Sequence, residues 1–175
     1  MKHLIIQTSH YHTGSTFLIN ALYGLVPELA NCPIIGEWTP NFMQQFDDII
    51  IVKAHEVNID LLIRKYNNSS QYKLYFICSE RSEKNLIIPE KYKLYNNVVV
   101  FDFTELNETK ENTIAKIIDH IYSKIHDILN IELNVESGIN RIVLMNQRYE
   151  EIKTLPFDFI DPFFEIHGSH RNRPT

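Results

Sequence analysis

Residues 4–18, Leu-Ile-Ile-Gln-Thr-Ser-His-Tyr-His-Thr-Gly-Ser-Thr-Phe-Leu, restrict the fold more than any other stretch of this chain. Leu4, Ile5 and Ile6 form an uninterrupted apolar run, the pattern of a strand buried on both faces of a parallel sheet. Small polar residues follow around Gly14, and Phe17, Leu18, Ala21, Leu22 and Leu25 then recur at helical spacing. A buried strand that enters a helix through a tight polar turn has a specific chemical capacity. Backbone N–H groups of the turn and the positive end of the helix dipole converge on one point, where a phosphate or sulfate is stabilised. Capping a helix needs a single Ser, Thr or Gly. Here Thr13, Gly14, Ser15 and Thr16 run together.

The spacing narrows the ligand. A nucleotide-binding phosphate loop reads G-x-x-x-x-G-K-[ST]. Ser9 stands at the first glycine, Gly14 at the second, Ser15 at the lysine and Thr16 at the final hydroxyl. The geometry is kept and the lysine is lost, which argues against ATP or GTP hydrolysis, since that chemistry leans on the lysine and on magnesium. Tyr11 to Leu18 resembles the 5′-phosphosulfate-binding loop of sulfotransferases that use 3′-phosphoadenosine 5′-phosphosulfate (PAPS). That loop commonly reads P-K-S-G-T-T-W-L or R-T-G-S-T-x-L. The resemblance implies that Thr13, Gly14, Ser15 and Thr16 cradle the phosphosulfate. It also implies that His12, at the position usually held by Lys or Arg, stabilises charge on the leaving bridge oxygen. An imidazole, with an unperturbed pKa of about 6.5, can do so when protonated.

Further candidates follow in chain order. Pro27 to Pro40 reads as a loop containing Gly36-Glu37-Trp38. Glu37 is either a solvated loop carboxylate or, by the same resemblance, the base that takes the acceptor proton. Trp38 offers a flat face to an acceptor or caps the core. Ile49 to Val52 is a second buried strand, ending in Lys53-Ala54-His55. Ligands of open α/β sheets bind beyond the carboxyl ends of the strands, so Lys53 and His55 are expected near the loop. Lys53-Ala54-His55 resembles the K-T-H element of cytosolic sulfotransferases, which implies that His55 is a general base and that Lys53 assists; a histidine that only packs is the other reading. Leu74 to Ile77 forms a third strand, followed by Ser79-Glu80-Arg81-Ser82. The family closes this strand with R-D-P-R-D or R-N-x-x-D to hold the 3′-phosphate. Here Ser79 takes the arginine's place and Arg81 is displaced, so Ser79, Arg81 and Ser82 stand as candidates beside the reading of a solvated turn. Phe157 to Phe164 is too apolar for a free tail, and it leads into His167 to Arg173. His170, Arg171 and Arg173 resemble the basic closing segment that wraps the 3′-phosphate, the alternative being a disordered basic terminus.

Val98 to Phe103 gives a fourth strand, and Glu108 to Asn130 a long helix with an isoleucine stripe, beside which His120 and His126 read as solvated. Glu136 to Thr154 gives another helix, with Ile139, Ile142, Val143, Tyr149 and Ile152 inward. The order of elements predicts one domain over residues 1–175, an α/β fold built as a three-layer α/β/α sandwich with a mainly parallel, P-loop-like sheet. A formal net charge of −5 argues against nucleic acid as a partner. No apolar run approaches the roughly 20 residues that span a bilayer, and the N-terminus lacks a signal-peptide pattern, so the cytoplasm is the default address. Cys32 and Cys78 lack metal-ligand spacing, and no metal site is expected. The expected activity is transfer of a sulfuryl group from PAPS to a hydroxyl of a small-molecule or carbohydrate acceptor, leaving 3′-phosphoadenosine 5′-phosphate. A P-loop small-molecule kinase and a nucleotide-binding protein without chemistry are the alternatives. The acceptor and the oligomeric state stay open.

Overall fold

The computed structural model describes residues 2–36, 48–66, 71–156 and 158–167. Strands β1 (Lys2–Ser9), β2 (Ile35–Gly36), β3 (Ile49–His55), β4 (Tyr72–Glu80) and β5 (Val98–Asp102) form one sheet in the order β2-β3-β1-β4-β5. Every pairing is parallel, and β1 lies at the centre, with Ile5 opposite Ile51 on one side and Tyr75 on the other. The uninterrupted apolar runs follow from this position, because a central parallel strand buries both of its faces. Ile5, Ile51, Ile77, Val99 and Phe101 point to one face. Leu4, Ile6, Ile50, Val52, Phe76 and Cys78 point to the other.

Helices cover both faces. Helix α1 (Ser15–Leu25), α4 (Ile114–Leu129) and α5 (Val135–Ile152) pack on the Ile5 side. Helix α2 (Ile59–Tyr66), with the stretch around α3 (Glu90–Lys93), covers the Leu4 side. The architecture is therefore the α/β/α sandwich the periodicities predict. Helices α1 and α5 cross at a glycine pair: a Cβ added to Gly24 would lie 2.9 Å from the Cα of Gly138, so only glycine permits this approach. No helix among the described residues is long and apolar enough to cross a membrane.

Two local expectations are corrected. Helix α4 begins at Ile114 rather than near Glu108, because side chains hold the preceding residues in a turn. Asn112 donates to Asn107 O at 2.8 Å, and Thr109 Oγ1 accepts from Asn112 N at 2.9 Å. In α5 Val143 is 39% exposed, while Arg141 is buried at 2%. Arg141 is inward because main-chain carbonyls from two segments converge on its guanidinium, and Phe163 O accepts from Ile34 N as well. Arg141 donates to Ala30 O (2.8 Å), Cys32 O (3.0 Å) and Phe163 O (2.9 Å), and its Nε donates to Asn20 Oδ1 (3.2 Å). Burial brings its pKa down to about 10, so it remains charged at neutral pH. The His120 side chain is 41% exposed, as the sequence suggests, and its Nε2 lies 3.1 Å from Glu105 Oε1.

The aromatic stretch near the end of the described chain packs against the domain. A short antiparallel hairpin, β6 (Ile160–Asp161) with β7 (Ile166–His167), is turned by Asp161, whose Oδ1 accepts from Phe163 N and Phe164 N. Asn20 Nδ2 of α1 donates to Phe164 O at 2.9 Å. This docking brings Glu165 to the carboxyl end of the sheet.

Candidate functional site

Residues 10–14 join β1 to α1 and form the loop. His12 (φ 68°) and Gly14 (φ 84°) both adopt left-handed backbone. At Gly14 conformation and space coincide: a Cβ there would lie 3.2 Å from Leu106 Cδ1 and 3.3 Å from Phe103 Cδ2. Gly14 occupies the N-cap of α1, where it offers no capping side chain, and the first turn of α1 carries no acidic residue. The first-turn N–H groups and the helix dipole therefore present positive potential that the chain's own first turn does not cancel. After β1 the chain runs into a helix on one face, whereas β3 and β4 lead to α2 and α3 on the other. The loop thus sits at the topological switch point, where open α/β sheets bind ligands.

Under the loop lies a polar floor built by strand register. Gln7 pairs with Lys53, and Ser9 with His55 and Ser79, so side chains from three strands share the α1-facing side. Gln7, Ser9, Thr13, Lys53 and Ser79 are all buried, as is Ser15 at the start of α1. Thr13 Oγ1 donates to His10 O at 2.8 Å and lies 3.0 Å from Ser79 Oγ, which fastens the loop to β4. Gln7 Nε2 donates to Ser9 Oγ at 3.3 Å, while its buried Oε1 lacks a hydrogen-bond partner among the described residues.

Lys53 supplies from the neighbouring strand the cation that the loop sequence lacks. Its Nζ is 3.4 Å from Thr16 Oγ1, at the start of α1, and 2.6 Å from Glu165 Oε2. Both side chains of this ion pair are about nine-tenths buried, at 6% and 10% exposure. Glu165 is itself held in left-handed backbone (φ 53°). It is wedged against Gly36, where a Cβ would fall 2.3 Å from Glu165 Oε1. Sequence reading missed Glu165, since a carboxylate in an aromatic tail carries no sign of its partner.

The remaining candidates divide. His55 Nδ1 lies 3.2 Å from Ser9 O; a carbonyl only accepts, so Nδ1 carries the proton and Nε2 is the basic nitrogen. The His55 ring stacks on Tyr11 with centroids 4.1 Å apart. Arg81 reaches the loop, with Nη1 donating to His12 O at 3.5 Å and its guanidinium 3.9 Å over the Phe103 ring. Arg81 also pairs with Glu83, and that hydrogen bond holds the Glu83 carboxyl below its ordinary pKa. Ser82 turns away to β5, donating from Oγ to Asp102 Oδ2 at 2.6 Å. Burial pushes the Asp102 pKa up, but hydrogen bonds from Ser82 and Thr104 outweigh it and bring it to about 2. The fold therefore gathers His12, Thr13, Gly14, Ser15, Thr16, Lys53, His55, Ser79 and Arg81 at one end of the sheet. Glu37, Trp38, His170, Arg171 and Arg173 lie outside the described residues. Two unpredicted neighbours complete the rim, His10 and Glu56, with Nδ1 and Oε1 3.3 Å apart. Their positions, one at the start of the loop and one after His55, were the available signal.

Helix N–H groups, the Thr16 hydroxyl, the Lys53 ammonium and the Arg81 guanidinium are groups that can donate to an anion. No group of three or more His, Cys, Asp or Glu among the described residues could hold a metal ion. Comparisons with protein-family models, curated proteins and solved structures returned no match.

Proposed function

We propose that this chain is a PAPS-dependent sulfotransferase acting on a hydroxyl acceptor. The observation that carries the reading is the Gly14-led N-terminus of α1 at the sheet's switch point, with Lys53 placed beside Thr16 from the adjacent strand. The loop amides, Ser15 and Thr16 hold the phosphosulfate, and Thr13 braces the loop through Ser79. Lys53 and His12 stabilise the charge that develops on the leaving phosphate oxygen. Arg81, with His170, Arg171 and Arg173 of the closing segment, holds the 3′-phosphate. Proton removal from the acceptor falls to a base at the strand ends, where His10 and His55 both stand. Bound there, PAPS supplies an activated sulfuryl group. The sulfuryl group carries less negative charge than a phosphoryl group, which suits a loop whose lysine position holds Ser15. The proposed location is the cytoplasm, with Cys32 and Cys78 both as free thiols.

One observation favours a second reading, a nucleotide-binding protein of the same fold without chemistry. Glu165 already neutralises Lys53, which reduces the net positive charge offered to a transferring group. Calorimetric titration of the full chain with 3′-phosphoadenosine 5′-phosphate, beside ATP with magnesium, tests the proposal. Micromolar binding of the bisphosphate, weakened in Lys53→Ala and in Arg171→Ala/Arg173→Ala, together with sulfate transfer from PAPS to a panel of alcohols, supports the transferase. Binding without transfer supports the second reading, preference for ATP moves the chain to the kinases, and binding of neither nucleotide overturns the proposal.

A further inference from the structure

A cavity of about 330 Å³ opens beside the loop, on the sheet face opposite α1. Its walls are Val57 and Ile59, which lead into α2, and Ile87, Ile88, Pro89 and Tyr92, which follow β4. All six are apolar or aromatic. The other end is polar and belongs to the loop's own base, with Thr8, Ser9, His10 and Glu56. A cavity with apolar walls and convergent polar groups at one end is the usual form of a small-molecule site.

The polar end has the arrangement of a proton acceptor. His10 Nδ1 lies 3.3 Å from Glu56 Oε1. A carboxylate at Nδ1 accepts the proton held there and leaves Nε2 as the nitrogen able to accept one, the pair standing at the open rim with side chains 36% and 59% exposed. Glu56 is held for this role. It occupies left-handed backbone (φ 51°), a strained conformation for a glutamate, and its N–H donates to Ser9 O at 3.3 Å. The end of β3 is thereby fastened to the end of β1 with the Glu56 side chain beside His10. His55 differs on two counts. Its Nδ1 partner is the neutral Ser9 carbonyl rather than a carboxylate, and its ring is stacked on Tyr11 outside the cavity lining.

We infer that this cavity receives the acceptor, a neutral alcohol carried on a flat apolar ring, and that His10, oriented by Glu56, takes its hydroxyl proton. The assignment rests on the sulfotransferase reading. As the acceptor oxygen forms its bond to sulfur, the bond from sulfur to the bridging oxygen of the 5′-phosphate breaks. The bonding pair leaves with the phosphate, and the hydroxyl proton passes to Nε2 of His10. Lys53 and the α1 N-terminus act on the leaving side and His10 on the entering side.

The test uses the full chain, with 2-naphthol as the acceptor probe and 3′-phosphoadenosine 5′-phosphate as the nucleotide probe, each titrated by NMR. Ile87 is 43% exposed at the cavity wall, so Ile87→Glu places a charge there without disturbing the core. That variant is expected to weaken 2-naphthol binding by about tenfold or more while leaving the bisphosphate titration unchanged. With PAPS as donor, His10→Gln is expected to lower kcat by about 10²- to 10⁴-fold at an almost unchanged KM for 2-naphthol. Glu56→Gln loses part of that effect and Glu56→Asp restores some of it, whereas His55→Gln loses less than His10→Gln. Bisphosphate binding without 2-naphthol binding overturns the cavity assignment and leaves the transferase reading intact. Ile87→Glu weakening the bisphosphate instead means that the cavity holds the adenine, which also overturns the assignment. Sulfate transfer with His10→Gln as active as the parent overturns the role of the pair. Absence of bisphosphate binding overturns the transferase reading and the transfer step with it.

Discussion

Replacing Glu165 by glutamine keeps the shape of the side chain and removes the only carboxylate that the described structure places on Lys53. The ammonium is then left beside Thr16 Oγ1, 3.4 Å away, with its ion pair gone and only 6% of the side chain exposed. Breaking a buried ion pair by removing one partner costs about 3–5 kcal/mol, because the surviving charge stays desolvated. At an unfolding entropy of about 2.1 cal/mol/K per residue, 175 residues give about 0.37 kcal/mol/K, so the midpoint should fall by about 8–14 °C. Far-UV circular dichroism melts and urea titrations of Glu165→Gln measure this directly. The double variant Lys53→Met/Glu165→Gln removes both charges and is expected to recover most of the loss, since neutral replacement of a buried pair is often harmless. Anion affinity should move the other way in the single variant. With its counter-charge gone, Lys53 attracts a bound bisphosphate more strongly, and Glu165→Gln should bind 3′-phosphoadenosine 5′-phosphate about tenfold more tightly. A midpoint that does not shift, or a double variant as unstable as the single, would refute the buried-pair argument. Unchanged bisphosphate affinity would show that Lys53 does not act on the anion.

Other expectations follow from the same structure. Gly14→Ala forces a left-handed alanine against Leu106 and Phe103 and should lower stability by about 1–2 kcal/mol, with a loss of bisphosphate affinity seen in the same titration. Arg141→Met removes the donor to the carbonyls of Ala30 and Cys32, while Phe163 O keeps the Ile34 N–H, with an expected loss of about 2–3 kcal/mol in urea unfolding; Arg141→Lys should not rescue it, because an ammonium cannot replace the planar fork. Asp102 has its pKa depressed from 3.8 to about 2, so its contribution is present above about pH 4 and fades as pH falls through 2. The difference in melting between the parent and Asp102→Asn should therefore shrink between pH 5 and pH 2, from about 1 kcal/mol once solvent screening is allowed for. Burial pushes the Cys78 thiol up to about 12, so a thiol reagent at pH 8 should label Cys32 in the native protein and reach Cys78 only on unfolding.

Much of the fold was legible because it depends on near neighbours in sequence. The apolar runs at Leu4–Ile6, Ile49–Val52 and Leu74–Ile77 could only be buried parallel strands, and each became one. The Thr13–Thr16 run marked the loop, and the rule that ligands lie beyond strand ends placed Lys53 and His55 beside it. Helix periodicity misjudged α5, because a stripe drawn through Val143 treats Arg141 as polar and therefore outward. Only the carbonyls gathered around it by the Ala30–Cys32 turn and the β6–β7 hairpin make an inward arginine favourable.

The sequence by itself determined the α/β class, the buried first strand and the Gly14 turn into α1, since burial periodicity and turn chemistry act over a few residues. Tertiary structure alone decided which charges meet. Lys53 and Glu165, His10 and Glu56, and Ser82 and Asp102 come from different elements, brought together by sheet register and by docking of the terminal hairpin. A side chain carries no local mark of the partner it will find across the fold. Its partner follows from where the whole core places each strand end, and here that placement gives the turn a buried cation and its rim a histidine–carboxylate pair.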